Sequence, residues 1–109
     1  MVSVAIVRDI DNRILSFKCE GHAGFAKNPQ DKDLVCAAVT AVIYTALGYM
    51  EEHYKMQDFI QRDGFVEWKR PEGLEAEVIH NISIVLDAMA IGLKQIEMQF
   101  NKNIKVIER

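Results

Sequence analysis

The chain has 109 residues, half of them hydrophobic and 27% charged, enough for one domain with its own core and too apolar for a disordered segment. A net charge of −3 excludes the strongly basic composition of a nucleic-acid binder, and it suits a basic protein partner better. No secretory leader opens the sequence and no uninterrupted apolar run approaches the ~18 residues of a membrane span. A cytoplasmic location without membrane contact is therefore expected, and there two cysteines stay reduced rather than paired.

Val2 to Asp9 reads as a buried strand, with β-branched residues at Val2, Val4, Ile6 and Val7. Asp11-Asn12 supplies turn chemistry, and Ile14 to Glu20 resumes as the partner strand of a hairpin. Alternation puts Leu15, Phe17 and Cys19 on one face and Ser16, Lys18 and Glu20 on the other. Cys19 is thus expected to be structural. Gly21 ends the alternation and lets the chain bend before His22. Residues 24–32 read as a polar loop.

A helix then runs from Leu34 to Lys55, with Asp33 as its N-cap. Val35, Val39, Val42, Ala46 and Met50 form its apolar stripe. Cys36 falls in the first turn, where backbone N–H groups have no intrahelical partner. Ala37, Ala38 and Ala41 keep those turns slim enough for another backbone to approach.

Phe59 to Arg70 gives a second hairpin around Asp63-Gly64, a pair that signals a type I′ turn. Pro71-Glu72-Gly73 stops it. A second helix extends from about Leu74 to Phe100, with Val78, Ile82, Val85, Met89, Leu93, Ile96 and Phe100 on one stripe. Ile79, Leu86, Ile84, Ile91 and Met98 widen its apolar surface beyond one face, which predicts a homodimer through this helix. Asn103 to Ile107 closes the chain as a strand. The order ββαββαβ makes an α+β fold, a mainly antiparallel sheet with two helices packed on one face.

His22 on a glycine-marked turn and Cys36 at a helix start are the two side chains a thiol protease needs. The thiolate is the nucleophile, and helix N-termini and imidazolium groups both favour that anion. Histidine takes the thiol proton and returns it to the leaving amine. Backbone N–H groups of Cys36 and the residue before it are candidates for holding the oxyanion. Thr40, one turn after Cys36, either approaches the thiol or substrate or bonds back to the Cys36 carbonyl. Asp33 either caps the helix or orients His22.

Gly21-His22-Ala23, a loop, and Asp33-Leu34-Val35-Cys36-Ala37-Ala38-Val39-Thr40 together resemble the ribosomal-processing cysteine protease Prp (YsxB-like) family. The likeness extends through Ala90-Ile91-Gly92-Leu93-Lys94-Gln95-Ile96-Glu97. It implies His22 as general base and Cys36 as nucleophile, with Gly21, Ala23, Asp33 and Thr40 supporting the site or its substrate. The implied substrate is the N-terminal extension of a large-subunit ribosomal protein, cut after an aromatic residue in an apolar, extended segment. Residues 23–32 would gate that substrate, and no cofactor is implied. Asn28-Pro29-Gln30-Asp31 lengthens the loop, and Thr40 stands where the family places serine.

Two other readings compete. Cys19, His22 and Cys36, with His53 or His80, are zinc-ligand types. Paired C-x-x-C ligands are absent, however, and both helix histidines sit among glutamates as solvated surface. The other alternative is a non-catalytic ribosome-associated binding module, in which Cys36 is merely buried.

Overall fold

A computed structural model describes residues 1–28 and 33–109. Strands β1 (Val2–Arg8) and β2 (Ile14–Glu20) lead into helix α1 (Leu34–Tyr54). Then follow β3 (Phe59–Arg62), β4 (Phe65–Lys69), α2 (Ala76–Gln99) and β5 (Ile104–Glu108). The five strands form one sheet in the order β3-β4-β2-β1-β5. All neighbours are antiparallel except β1 and β5, which run parallel, so the sheet is mixed. A parallel partner needs a long crossover, and α2 supplies it.

Register decides which side chains share the core. Val4, Cys19 and Val66 lie opposite one another across β1, β2 and β4; Ile6, Phe17 and Trp68 form the next row. All six are buried. The Phe17 and Trp68 rings stack with centroids 6.0 Å apart. The buried residues of both helices complete one hydrophobic cluster with this face.

Helix α1 contributes Val35, Val39, Ile43, Ala46, Leu47 and Met50 to that core. Val42, expected on the inner stripe, is only half-buried and instead meets α2. A β-carbon at Gly92 would stand 3.1 Å from its Cγ1, so the bare glycine sets how closely the helices approach. Lys55 ends α1 in the left-handed region, φ 55°, its N–H donating to Glu51 O at 2.8 Å.

Three expectations change. Val7 pairs with Ser16 but Arg8 with Ile14, leaving Leu15 as the extra residue of a β-bulge. The bulge turns Ile14 into the core and Leu15 out, 39% exposed. At the second hairpin only Gly64 has positive φ (68°), so the Asp63-Gly64 turn is not type I′, which needs φ > 0 at both residues. Finally, α1 and α2 are long and apolar enough to cross a membrane by length and composition alone, with mean hydropathies of 1.6 and 1.5. Scattered polar residues such as Thr40 and Asn81 hide this from a count of consecutive apolar residues. Packing against the sheet accounts for the apolarity of their inner faces.

Candidate active site

Asp33 is the N-cap of α1. Its Oδ1 accepts the Cys36 N–H at 3.0 Å, and its Oδ2 accepts those of Phe25 at 2.8 Å and Ala26 at 3.2 Å. Partial desolvation pushes the carboxyl up, but bonds from Cys36, Ala26, Phe25 and Val35 outweigh it and hold the group below the usual carboxylate range. One side chain thereby fixes the first turn of the helix and ties the preceding loop to it. With those bonds filled by backbone donors, capping is the role the structure gives Asp33.

This cap also engages one of the two expected oxyanion donors. The Cys36 N–H is given to Asp33, so it does not point freely at a reacting carbonyl. The slim helix start does admit a backbone: the Ala23 N–H donates to the Cys36 Sγ at 3.2 Å. Ala23 is itself buried, and its carbonyl accepts from the Asn103 side-chain amide at 3.0 Å. The peptide that touches the sulfur is thus held from the sheet's far edge.

Cys36 is half-buried and lines a cavity of about 540 Å³ between the first half of α1 and the β3–β4 hairpin. Gly21, His22 and Thr40 share this cavity. No hydrogen bond joins His22 to Cys36 in this geometry, and apo geometry alone does not rule out a catalytic pair. The Thr40 side chain is exposed and hydrogen-bonds neither to the thiol nor back to the Cys36 carbonyl, which leaves it open toward the cavity. Val39, Ile43 and Val66 form apolar parts of the wall, with Tyr44 and Phe65 beside them.

Cys19 also borders the cavity, yet it is buried as expected, and desolvation followed by the Cys36 and Glu20 charges pushes its thiol up to about 11. His53 and His80 are exposed on the helices, away from this cavity. Among the described residues, no three His, Cys, Asp or Glu side chains come together to hold a metal. Part of the expected gate is fixed: Asp33 holds residues 25 and 26, and Phe25 meets Phe100 edge-on at 5.4 Å. The remainder of that gate, residues 29–32, lies outside the described residues.

Sequence reasoning missed the β3–β4 turn. Asp63 Oδ2 stands 3.8 Å from His22 Nε2, and the Gly64 carbonyl accepts the Gly21 N–H at 2.8 Å. The Asp-Gly pair was visible as a turn, but nothing local tied it to a histidine on another strand end.

A nucleophile type at a helix tip and a base type lining the same partly apolar cleft suit a cysteine hydrolase site. The comparisons agree on the class. A family model described as cysteine protease Prp matches residues 1–105. The ribosomal processing cysteine protease Prp of Bacillus subtilis (strain 168) is 33% identical over 109 residues, covering 97% of this chain and 96% of that protein. The ribosomal processing protease Prp from S. aureus in complex with a substrate peptide matches with TM-score 0.81 at 20% identity, covering 100% of both chains. The same protease with a covalently linked product peptide gives 0.78 at 21% identity, again over 100% of both. SMU.848 from Streptococcus mutans gives 0.77 at 16% identity, over 99% of this chain and 93% of that one. The chain belongs to the cysteine protease Prp family. It is a cysteine protease, and the alternative of a non-catalytic module gives way.

Proposed function

We propose that this protease removes the N-terminal extension of a large-subunit ribosomal protein during ribosome biogenesis, with Cys36 as nucleophile and His22 as general base. One observation carries the assignment of the pair: both side chains line the same cleft, and a backbone N–H donates to the sulfur. The B. subtilis relative, a ribosomal processing protease, supports the substrate class.

In this reading His22 takes the thiol proton as Cys36 attacks the scissile carbonyl. The proton passes to the leaving amine, and the acyl chain stays on sulfur. Water, deprotonated by His22, then releases the acid and restores the thiol. The apolar wall of Val39, Ile43 and Val66 suits an extended apolar segment, with Tyr44 and Phe65 available to an aromatic side chain at the cut. Gly21 makes the bend that precedes His22, Thr40 offers a hydroxyl to substrate, and Ala23 and Asp33 support the thiol. The net charge of −3 favours a basic ribosomal protein as partner. A cytoplasmic setting keeps Cys36 reduced.

The proposal includes a homodimer through α2, where Ile84 and Ile91 are each 58% exposed and Met98 82%. Spacings of seven residues put the three on one outward stripe.

The decisive assay uses a peptide spanning the extension and its junction. Wild-type protein cleaves it, and Cys36→Ala abolishes cleavage while still binding the peptide. Intact peptide after incubation with wild-type protein overturns the reading.

A further inference from the structure

Asp33, the acid of the Cys36 motif and the sequence candidate for orienting His22, is already engaged. Asp33 spends both oxygens on backbone N–H groups at the start of α1. Among the described residues, the carboxylate that faces the imidazole comes from the β3–β4 turn instead. Asp63 Oδ2 lies 3.8 Å from Nε2, with the His22 side chain 67% exposed and that of Asp63 97% exposed. Arg62, the cation on the same turn, stacks over the Phe65 ring at 4.0 Å and forms no ion pair with Asp63. Cys36 and Tyr44 on α1 and Cys19 on β2 are the further titratable groups lining the same cleft.

Gly64 contributes space. A β-carbon there would stand 2.9 Å from His22 Nε2 and 3.4 Å from both Cδ2 and Cε1. The Nε2 edge of the ring therefore rests over the bare Cα of this glycine. The backbones are joined as well, through the Gly21 N–H and the Gly64 carbonyl at 2.8 Å. Gly21 also has positive φ (97°), and a side chain on it would collide with the Met1 carbonyl. Two glycines on separate elements thus set where the histidine stands.

We infer that the Asp63-Gly64 turn is the positioning device of the general base, with Gly64 seating the ring and Asp63 accepting from Nε2–H. The inference rests on His22 being the base. A neutral imidazole carries one donor and one acceptor nitrogen. An acceptor carboxylate beside Nε2 keeps the proton there and leaves Nδ1 to take the thiol proton. A small rotation of the exposed Asp63 side chain closes the remaining distance when substrate occupies the cleft. An asparagine in its place offers an N–H donor to the same nitrogen and so favours the wrong tautomer.

The test reads tautomer and turnover separately. In ¹⁵N-histidine spectra at about pH 8, above the ordinary histidine range, the His22 signals are assigned by their loss in His22→Ala. Wild-type protein is expected to carry the proton on Nε2. Asp63→Asn shifts population toward Nδ1–H, and Asp63→Glu restores it. On the junction peptide, Asp63→Asn lowers kcat about tenfold with KM unchanged, a fraction of the loss known for a buried triad acid, and Asp63→Glu recovers most of it. Gly64→Ala lowers kcat at least about tenfold by displacing the ring. Gly73→Ala imposes a similar backbone strain, φ 76° with nothing within 4 Å, and keeps full activity. An unchanged tautomer and kcat in Asp63→Asn overturn the inference while an inactive His22→Ala leaves the proposed function standing. An active His22→Ala overturns both.

Discussion

The Ala23 N–H donates to the Cys36 sulfur at 3.2 Å, while the Cys36 N–H is held by Asp33 at 3.0 Å. The residue that carries the thiol is therefore fixed at both its side chain and its amide, by groups from the loop and from the cap. This pairing separates the two cysteines of the chain in chemical terms. One sits half-open beside a donor and the other is buried in the sheet's core face at the cavity's edge.

Alkylation follows that difference. Iodoacetamide at about neutral pH is expected to label Cys36 at least about tenfold faster than Cys19, whose thiol is buried and pushed up to about 11. Peptide mapping by mass spectrometry reads the two rates, and Cys19 should react only after denaturation. Equal rates would mean that the cleft does not expose Cys36.

Asp33→Ala should cost about 1 kcal/mol in urea unfolding, the ordinary loss for an N-cap, and should also free the loop at Phe25 and Ala26. Because the folded-state carboxyl is held below its unfolded value, its contribution is complete above about pH 4. It fades as pH falls through the lowered folded value. The gap between wild type and variant should therefore narrow in acid; a gap that stays constant would refute the cap's electrostatic share.

Phe17→Ala removes a fully buried ring stacked on Trp68 and is expected to cost about 3–5 kcal/mol. Leu15→Ala, one turn of the pleat away but thrown outward by the bulge, should cost under about 1 kcal/mol. Thermal melts of the pair test the bulge directly, since a regular strand would bury Leu15 and make both variants severe.

Ile91→Glu places a charge in the middle of the exposed α2 stripe. Light scattering after gel filtration is expected to find a dimer for wild-type protein and a monomer for the variant, with unchanged circular dichroism. A wild-type monomer at micromolar concentration removes the dimer from the proposal.

Local chemistry made most of the fold legible. The bounds of β2, β3 and β4 and the cap at Asp33 follow from alternation, from Asp63-Gly64 and from one polar residue before an apolar stripe. The bulge did not follow, because the outward turn of Leu15 depends on Arg8 pairing with Ile14 across the hairpin. The parallel direction of β5 depends likewise on where α2 delivers it. At the cleft, the thiol and imidazole were legible as residue types on a motif. The competition for the Cys36 amide and the approach of Asp63 to His22 were not, since both arise from where loops fold back in space.

Asn103 has the last word on timing. Its side chain holds the Ala23 carbonyl, and it lies just ahead of the final strand. A nascent chain that has emerged only as far as α2 has no anchor for that peptide, so the sulfur's donor is unsecured until residue 103 has been added. Ribosome-bound fragments ending at Gln99 are accordingly expected to lack cleavage activity that the released full chain possesses, and an active fragment would disprove it.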